Sequence, residues 1–145
     1  MARGTMTKEA TIYLTEVDRG RLRKLIDLAR DTGADSHRQY LDRLQDELER
    51  AEVVAPNDIP RDVVTMRSTV RLKDLDSDKE MVYSLVFPSE ADIDEGKISV
   101  LAPVGTAMIG HKVGNVIEWE VPSGLRRLKV EEILYQPEAS GDYHL

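Results

Sequence analysis

The stretch Ile98–Gln136, ISVLAPVGTAMIGHKVGNVIEWEVPSGLRRLKVEEILYQ, decides the fold. A short apolar run leads to Pro103, a residue suited to the first turn of a helix, and Gly110 ends that helix. Gly114 then turns the chain into an alternating strand, and residues 122–124 close a hairpin. The stretch therefore predicts a strand, one short helix and a β-hairpin, the main part of a β module.

Alternation with a period of two marks the strands of this module. It is seen at Val70 and Leu72, at Met81, Tyr83, Leu85 and Phe87, and at Ile117, Trp119 and Val121. In the returning strand the phase slips, because Leu128 and Val130 share one face and Ile133 resumes it one residue late. A β-bulge at Glu131–Glu132 would restore the inward pattern.

Before the module, the apolar period is that of a helix. The two apolar stripes are Leu22, Leu25, Ile26 and Ala29, then Leu41, Leu44, Leu48 and Ala51. Thr15 is placed as an N-cap with Asp18 at the capping-box spacing, and Gly33 ends the first helix. Two stripes joined by about four residues predict an antiparallel helical hairpin, a short coiled coil. Its second helix of about 16 residues would be roughly 24 Å long.

We therefore expect an α+β protein with a helical arm mounted on an antiparallel β module. The expected parts are a short strand and arm (residues 1–55), a proline-containing hinge (56–62), the β module (63–136) and a tail (137–145). Pro56 and Pro60 end the helical segment and stiffen the hinge.

The charge of the chain is uneven. The 145 residues carry a net charge of −7, with 41% hydrophobic and 32% charged residues and no cysteine. Residues 1–56 hold 10 Lys/Arg and 11 Asp/Glu, and residues 57–145 hold 10 Lys/Arg and 16 Asp/Glu. An acidic module is a poor candidate for direct binding to nucleic acid, since phosphate contacts supply most of that affinity. No apolar run approaches the ~18 residues of a membrane span, and a cytoplasmic protein is expected.

The candidate metal sites are weak. Asp74–Asp78 has the D-x-D-x-D opening of a calcium loop, but Lys79 and Leu85 stand where such a loop needs Gly and Glu, so a charged turn is predicted. The three histidines, His37, His111 and His144, lack the spacing of metal ligands. We expect no metal site and no catalytic residue.

Two further features have both a structural and a functional interpretation. Asp27, Asp31 and Asp35 crowd toward the tip of the arm, either as solvated charge, which is favoured, or as ligands of a divalent cation. The corner Leu101–Val104 either turns the chain or offers an apolar edge to a partner. The residues alone support these two roles equally.

The stretch from Ala102 to Gln136 resembles the C-terminal module of the Gre transcript-cleavage factors. The shared pattern is a Ser-Pro-like corner, a helix ending in Ile-Gly, a turn into a strand, a P-x-G hairpin and a closing V-x-x-I-x-Y. The chain is most similar to the Rnk subgroup, described as regulators of nucleoside diphosphate kinase. It shares with that subgroup a short arm, the DVVTM segment Asp62–Met66 and the tail Tyr135–Tyr143.

The resemblance implies an FKBP-like β module that grips RNA polymerase at the rim of its secondary channel, with the coiled coil reaching inward. The gripping corner falls on Leu101, Ala102, Pro103 and Val104, and Ala102 replaces the Ser usual in Gre factors. In Gre factors two acidic residues at the tip of a long arm bring Mg²⁺ to the polymerase active site. Asp31 and Asp35 match these positions only loosely.

Because the arm is shorter than a Gre arm, the resemblance implies binding and competition with Gre factors without stimulation of transcript cleavage. No enzyme activity and no cofactor are expected, apart from Mg²⁺ at the tip in a polymerase complex. We expect a monomer that binds neither membranes nor specific nucleic-acid sequences. The alternatives are a cleavage-stimulating elongation factor, an FKBP-like prolyl isomerase, and an adaptor of nucleoside diphosphate kinase.

Overall fold

The computed structural model describes residues 11–31, 38–121 and 124–142. The α+β class is confirmed, with a helical N-terminal part, a five-stranded sheet and one short helix. In chain order the elements are β1 (Tyr13–Thr15), α1 (Glu16–Asp31), α2 (Arg38–Arg50), β2 (Glu52–Val54), β3 (Thr69–Asp74), β4 (Glu80–Val86), β5 (Lys97–Ser99), α3 (Pro103–Met108), β6 (Val116–Val121) and β7 (Gly124–Tyr135). Among the described residues, no helix has the length and hydropathy needed to cross a bilayer.

The helices α1 and α2 pack through the stripes that the sequence predicts. The buried members are Leu22, Ile26, Leu41, Leu44 and Leu48, and Leu25, Ala29 and Ala51 lie half-buried beside them. On the outer side, Arg30 near the end of α1 donates to Asp42 near the start of α2 at 2.8 Å. The helices therefore run antiparallel, as expected. Gly33, predicted to end the first helix, lies outside the described residues.

The start of α1 confirms one half of the predicted cap. The Thr15 hydroxyl oxygen accepts from the Asp18 backbone N–H at 3.0 Å. The prediction that Asp18 completes a capping box is wrong, because its carboxylate accepts instead from the Met66 N–H at 3.2 Å. The Asp18 carboxylate thus bonds to the segment before β3.

The sheet has the strand order β5-β4-β3-β7-β6, with β3 at its centre. The expected antiparallel pairing holds for every neighbouring pair except β4 and β5, which are parallel. The connection between them carries two short 3-10 turns and returns the chain to the starting end of β4. A second small sheet pairs β1 with β2 in parallel, and its strand β2 was not predicted.

The β-bulge in β7 is confirmed. Opposite Arg71 and Leu72 the register passes from Glu132 to Val130, which leaves Glu131 as the extra residue. A second shift, which the sequence pattern did not reveal, skips Leu134 on the way to Tyr135. The bulges keep Val130 and Ile133 on the inner face while β7 bends along β3.

Arm and module share one continuous core. The buried cluster extends from Leu14 and Leu44 in the arm to Met108 and Leu128 in the module. The backbone joins them too, since the Tyr13 N–H donates to the Gly110 carbonyl at 3.1 Å. The base of the arm is therefore packed onto the module.

Hydrogen bonds also join the arm to the sheet and the end of β7 to the hinge and the tail. The Arg43 guanidinium on α2 donates to the carbonyl of Glu118, on the outer strand β6, at 2.9 Å. At the end of the module, the buried Gln136 amide donates to the carbonyls of Pro60 and Val63, both at 2.8 Å. Tyr135 donates its hydroxyl to Asp142 in the tail at 2.5 Å, so the described tail residues fold back toward the end of β7.

The shared core predicts one cooperative unfolding transition for arm and module. Leu44→Ala removes a fully buried side chain, and we expect a loss of about 2–5 kcal/mol in the free energy of unfolding. Urea denaturation, followed by helical circular dichroism and by fluorescence of the single tryptophan, should give coincident curves.

The matched control is Leu28→Ala, because Leu28 is 65% exposed on α1. Its effect should stay within about 0.5 kcal/mol. A helical signal that melted before the tryptophan signal in the wild-type protein would contradict a shared core.

Candidate functional site

The corner between β5 and α3 is held by hydrogen bonds to its backbone, two of which come from side-chain hydroxyls. The Ser99 hydroxyl accepts from the Leu101 N–H and the Ser99 carbonyl from the Ala102 N–H, each at 3.0 Å. The Thr106 hydroxyl donates to the Val100 carbonyl at 2.7 Å. Pro103 occupies the first turn of α3, as predicted, and the chain turns within a few residues.

Gly105 is required by a close approach. A Cβ on Gly105 would lie 2.1 Å from the Ser99 carbonyl oxygen, far inside van der Waals contact. Gly105 lies inside α3, whereas Gly110 and Gly114, which were predicted at a helix end and a turn, have positive φ angles. The absence of a side chain at Gly105 therefore allows α3 to pack directly on the backbone of β5.

The exposure of the corner changes sharply along the chain. Leu101, Ala102, Pro103 and Val104 are all partly exposed, and the residues from 105 to 111 are buried. Leu101 and Val104 also pack against the core. Residues 98–110 contain no charged residue and form the longest uncharged run in the chain. The result is a firmly held apolar edge on an otherwise charged module.

The supports of this corner were not recognised from the sequence. Ser99 and Thr106 look like ordinary polar residues, and their role appears only when the chain folds back on itself. The useful signal was the local sequence S-x-x-x-P-x-G-T, which places a hydroxyl on each side of a proline turn. Both hydroxyls bond to the corner backbone.

Two of the three carboxylates near the tip of the arm, Asp27 and Asp31, lie within the described residues. Asp31 is the last described residue of α1 and is exposed, and Asp35 lies outside the described residues. Asp27 lines a shallow groove between the helices with Arg23, Gln45 and Glu49. Within residues 11–31, 38–121 and 124–142, no group of three or more His, Cys, Asp or Glu side chains could hold a metal ion.

The D-x-D-x-D segment is a charged turn, as predicted. The Asp74 carboxylate accepts from the N–H groups of Asp76 and Ser77 at 2.9 and 3.2 Å. It also pairs with Arg126, and this hydrogen bond holds the pKa of Asp74 below its ordinary value. Asp76 and Asp78 pair in turn with Arg127 and Lys73. Each carboxylate of the segment is thus paired with a cationic side chain.

His111 is a core residue. Its side chain is fully buried and its Nδ1 lies 3.1 Å from the side-chain amide of Asn115. Burial, with smaller effects of Arg50 and Arg43, lowers the pKa of His111 to about 4. It is therefore neutral near pH 7. His37 and His144 lie outside the described residues.

The comparisons with known proteins cover both parts of the chain. Residues 59–135 match the family described as transcription elongation factor GreA/GreB, C-term, and residues 11–54 match the family described as Rnk N-terminus. The regulator of nucleoside diphosphate kinase of Escherichia coli K12 is 40% identical over 136 residues, which cover 93% of this chain and 97% of that protein.

Two further relatives are elongation factors. The transcription elongation factor GreA of Syntrophotalea carbinolica is 44% identical over 92 residues, which cover 63% of this chain but only 58% of that protein. The solved structure of a prokaryotic transcription elongation factor GreA/GreB from Nitrosomonas europaea superposes with a TM-score of 0.70 at 40% identity. That similarity covers 87% of this chain and 99% of the solved one.

The corner geometry predicts that Gly105 tolerates no side chain. Gly105→Ala places a methyl group 2.1 Å from a backbone oxygen, and we expect the shift that this forces to cost roughly 1–3 kcal/mol of unfolding free energy. Urea or thermal denaturation measures this cost.

Gly20→Ala provides the opposite control. Gly20 lies inside α1, and a Cβ at this position would have nothing within 4 Å beyond its own helix and neighbours. That substitution should stabilise the chain by about 0.5–1 kcal/mol, because alanine favours helix. Equal effects of the two substitutions would contradict the close approach at Ser99.

Proposed function

The chain belongs to the GreA/GreB family and carries an Rnk-type N-terminus, and on that premise we propose that it regulates transcription by binding RNA polymerase at the rim of the secondary channel. The observation that carries the proposal is the corner Leu101–Val104. It is an uncharged, partly exposed edge within residues 59–135, the part that matches the GreA/GreB module.

The build of the corner suits a docking surface. Leu101 and Val104 are anchored in the core and still partly exposed. Three hydrogen bonds fix the backbone from Val100 to Ala102 before any partner binds. A surface that is already ordered loses little conformational entropy on binding, so more of the contact energy appears as affinity. Since Ala102 offers no hydroxyl, the expected contact is mainly apolar.

The arm supports a role without stimulation of transcript cleavage. Residues 11–54 match the Rnk N-terminus, whereas the GreA/GreB match is confined to the module. The helix α1 has 16 residues, which at 1.5 Å per residue is about 24 Å. We propose that the bound protein occupies the channel entrance and excludes Gre factors. Any catalysis would be that of the polymerase, with Mg²⁺ near Asp31 and Asp35 only in that complex.

A second candidate rests on the name of one relative. The Escherichia coli protein is called a regulator of nucleoside diphosphate kinase, so an adaptor of that kinase is the alternative. A pull-down with purified kinase separates the two: direct capture favours the adaptor, and capture of polymerase alone favours the proposal.

The alternative of an FKBP-like prolyl isomerase gains no support from Phe87. The Arg67 guanidinium covers the face of its ring, 5.3 Å from the ring centroid.

The docking role predicts that a charge at the corner weakens polymerase binding. Pro103→Asp places a carboxylate in the first turn of α3, where the helix tolerates an acidic residue. Burying that charge against a partner should raise the Kd for RNA polymerase at least about tenfold. Equilibrium binding to purified polymerase measures the change.

Ile93→Asp is the matched control, because Ile93 is also apolar and is 67% exposed outside the corner. Its Kd should equal that of the wild type. Unchanged affinity of Pro103→Asp, with the fold confirmed by circular dichroism, would contradict the docking assignment.

The short arm predicts competition without cleavage. Added to polymerase stalled with backtracked RNA, the protein should leave the cleavage rate at its basal value, and it should reduce GreA-stimulated cleavage in proportion to its occupancy. The assay is transcript cleavage scored together with GreA displacement. Stimulation above the basal rate would favour the alternative of a Gre-like cleavage factor.

A further inference from the structure

Three distant parts of the chain meet at the tight turn Thr65–Ser68. The Ser68 N–H donates to the Thr65 carbonyl at 3.0 Å, and Arg67 within the turn has a φ of 68°. From the arm, the Asp18 carboxylate accepts the Met66 N–H at 3.2 Å. From the tail, the Glu138 carboxylate accepts the Thr65 hydroxyl at 2.8 Å. Two carboxylates therefore bind adjacent residues of one turn.

The Asp18 side of this meeting point is closed to water, whereas Glu138 is half-buried. Thr65 and Ser68 are fully buried, and Asp18 is 4% exposed. A carboxylate loses its hydration there and gains a hydrogen bond from the Met66 N–H. A protonated carboxyl keeps an oxygen for the Met66 N–H and avoids the cost of a buried charge.

The charges that face Asp18 come from three elements. Glu138 in the tail repels a charged Asp18, and Arg21 on the same helix and Arg67 in the turn attract it. Arg67 is itself engaged by Glu90, whose carboxylate lies 2.8 Å from its guanidinium. Burial, the largest effect, raises the pKa of Asp18 to about 6, and Glu138 adds to it. The Met66 hydrogen bond and the two arginines act against the rise.

We propose that this cluster is a proton-operated latch, in which one proton taken up at Asp18 tightens the arm and the tail on the module and its release loosens them. The latch joins Asp18 of α1, the Thr65–Ser68 turn and Glu138. It would make the attachment of the arm firmest in mildly acidic conditions, independently of whether the corner binds polymerase.

The direction of the pH dependence of stability follows from the direction of the pKa shift of Asp18. The folded pKa of about 6 lies above the ordinary 3.8, so the stabilisation by the proton is fully present below 3.8 and is lost as the pH rises through about 6. Between pH 8 and pH 5 this one group should lower the unfolding equilibrium constant about tenfold.

The test compares the full chain with Asp18→Asn. The asparagine oxygen can still accept the Met66 N–H, and the charge is absent. Urea denaturation at pH 8 and at pH 5 should show the folding equilibrium constant of the wild type rising about tenfold at the lower pH, relative to this variant. Asp31→Asn, which changes an exposed carboxylate on the same helix, should keep the wild-type slope.

A second variant addresses Glu138. Glu138→Gln keeps an oxygen for the Thr65 hydroxyl and removes the repulsion, so the titration midpoint of Asp18 should fall. Carboxyl ¹³C NMR of the folded chain reads that midpoint directly. A midpoint near the ordinary value in the wild type, or equal pH slopes for wild type and Asp18→Asn, would overturn the latch.

Native-state hydrogen exchange separates a latch from a local effect. After correction for the intrinsic rate, protection of the first turn of α1 and of the Asp142 amide, which donates to the Pro137 carbonyl, should fall together as the pH rises. In Asp18→Asn their protection should not depend on pH. Protection in the wild type that stays constant through pH 6 would also overturn the proposal.

Discussion

The contact between Gly110 and the first strand holds the arm and the module in one body. The Gly110 N–H donates to the Val64 carbonyl at 2.8 Å, and its carbonyl accepts from the Tyr13 N–H. A Cβ at Gly110 would lie 2.8 Å from the Ile12 Cβ, so only glycine allows the three segments to meet. Because α3 ends two residues earlier, the corner and the arm lie at opposite ends of one short rigid segment. A partner that grips the corner therefore also sets the direction of the arm.

Local periodicity predicted most of the fold because most elements bury one face. The stripes of α1 and α2 and the bulge at Glu131 follow from apolar spacing, and the Thr15 cap follows from its residue type at the start of the helix. The parallel pairs of β1 with β2 and of β4 with β5 could not be predicted in this way. Their partners are distant in sequence or lie across an irregular connection, and pairing of this kind leaves no local periodic signal.

The candidate site could be predicted in part. The corner was located by its proline and its apolar edge, but its supports Ser99, Gly105 and Thr106 depend on how closely α3 approaches β5. Asp18 was assigned to a helix cap because its spacing fits one. The tertiary contact with Met66 uses the same carboxylate in another way. Spacing alone misassigns side chains that can form a hydrogen bond either within their own segment or with a distant part of the fold.

The bond from Arg43 to the Glu118 carbonyl has a consequence for the free molecule. The strand β6 is one of the two edge strands of the sheet, and an open edge can pair with the edge of another copy. The arm places a cation and a hydrogen-bond donor at that edge. The helices therefore help to keep the sheet soluble, in addition to any contact that they make with a partner. A module separated from its arm would expose an edge prone to aggregation.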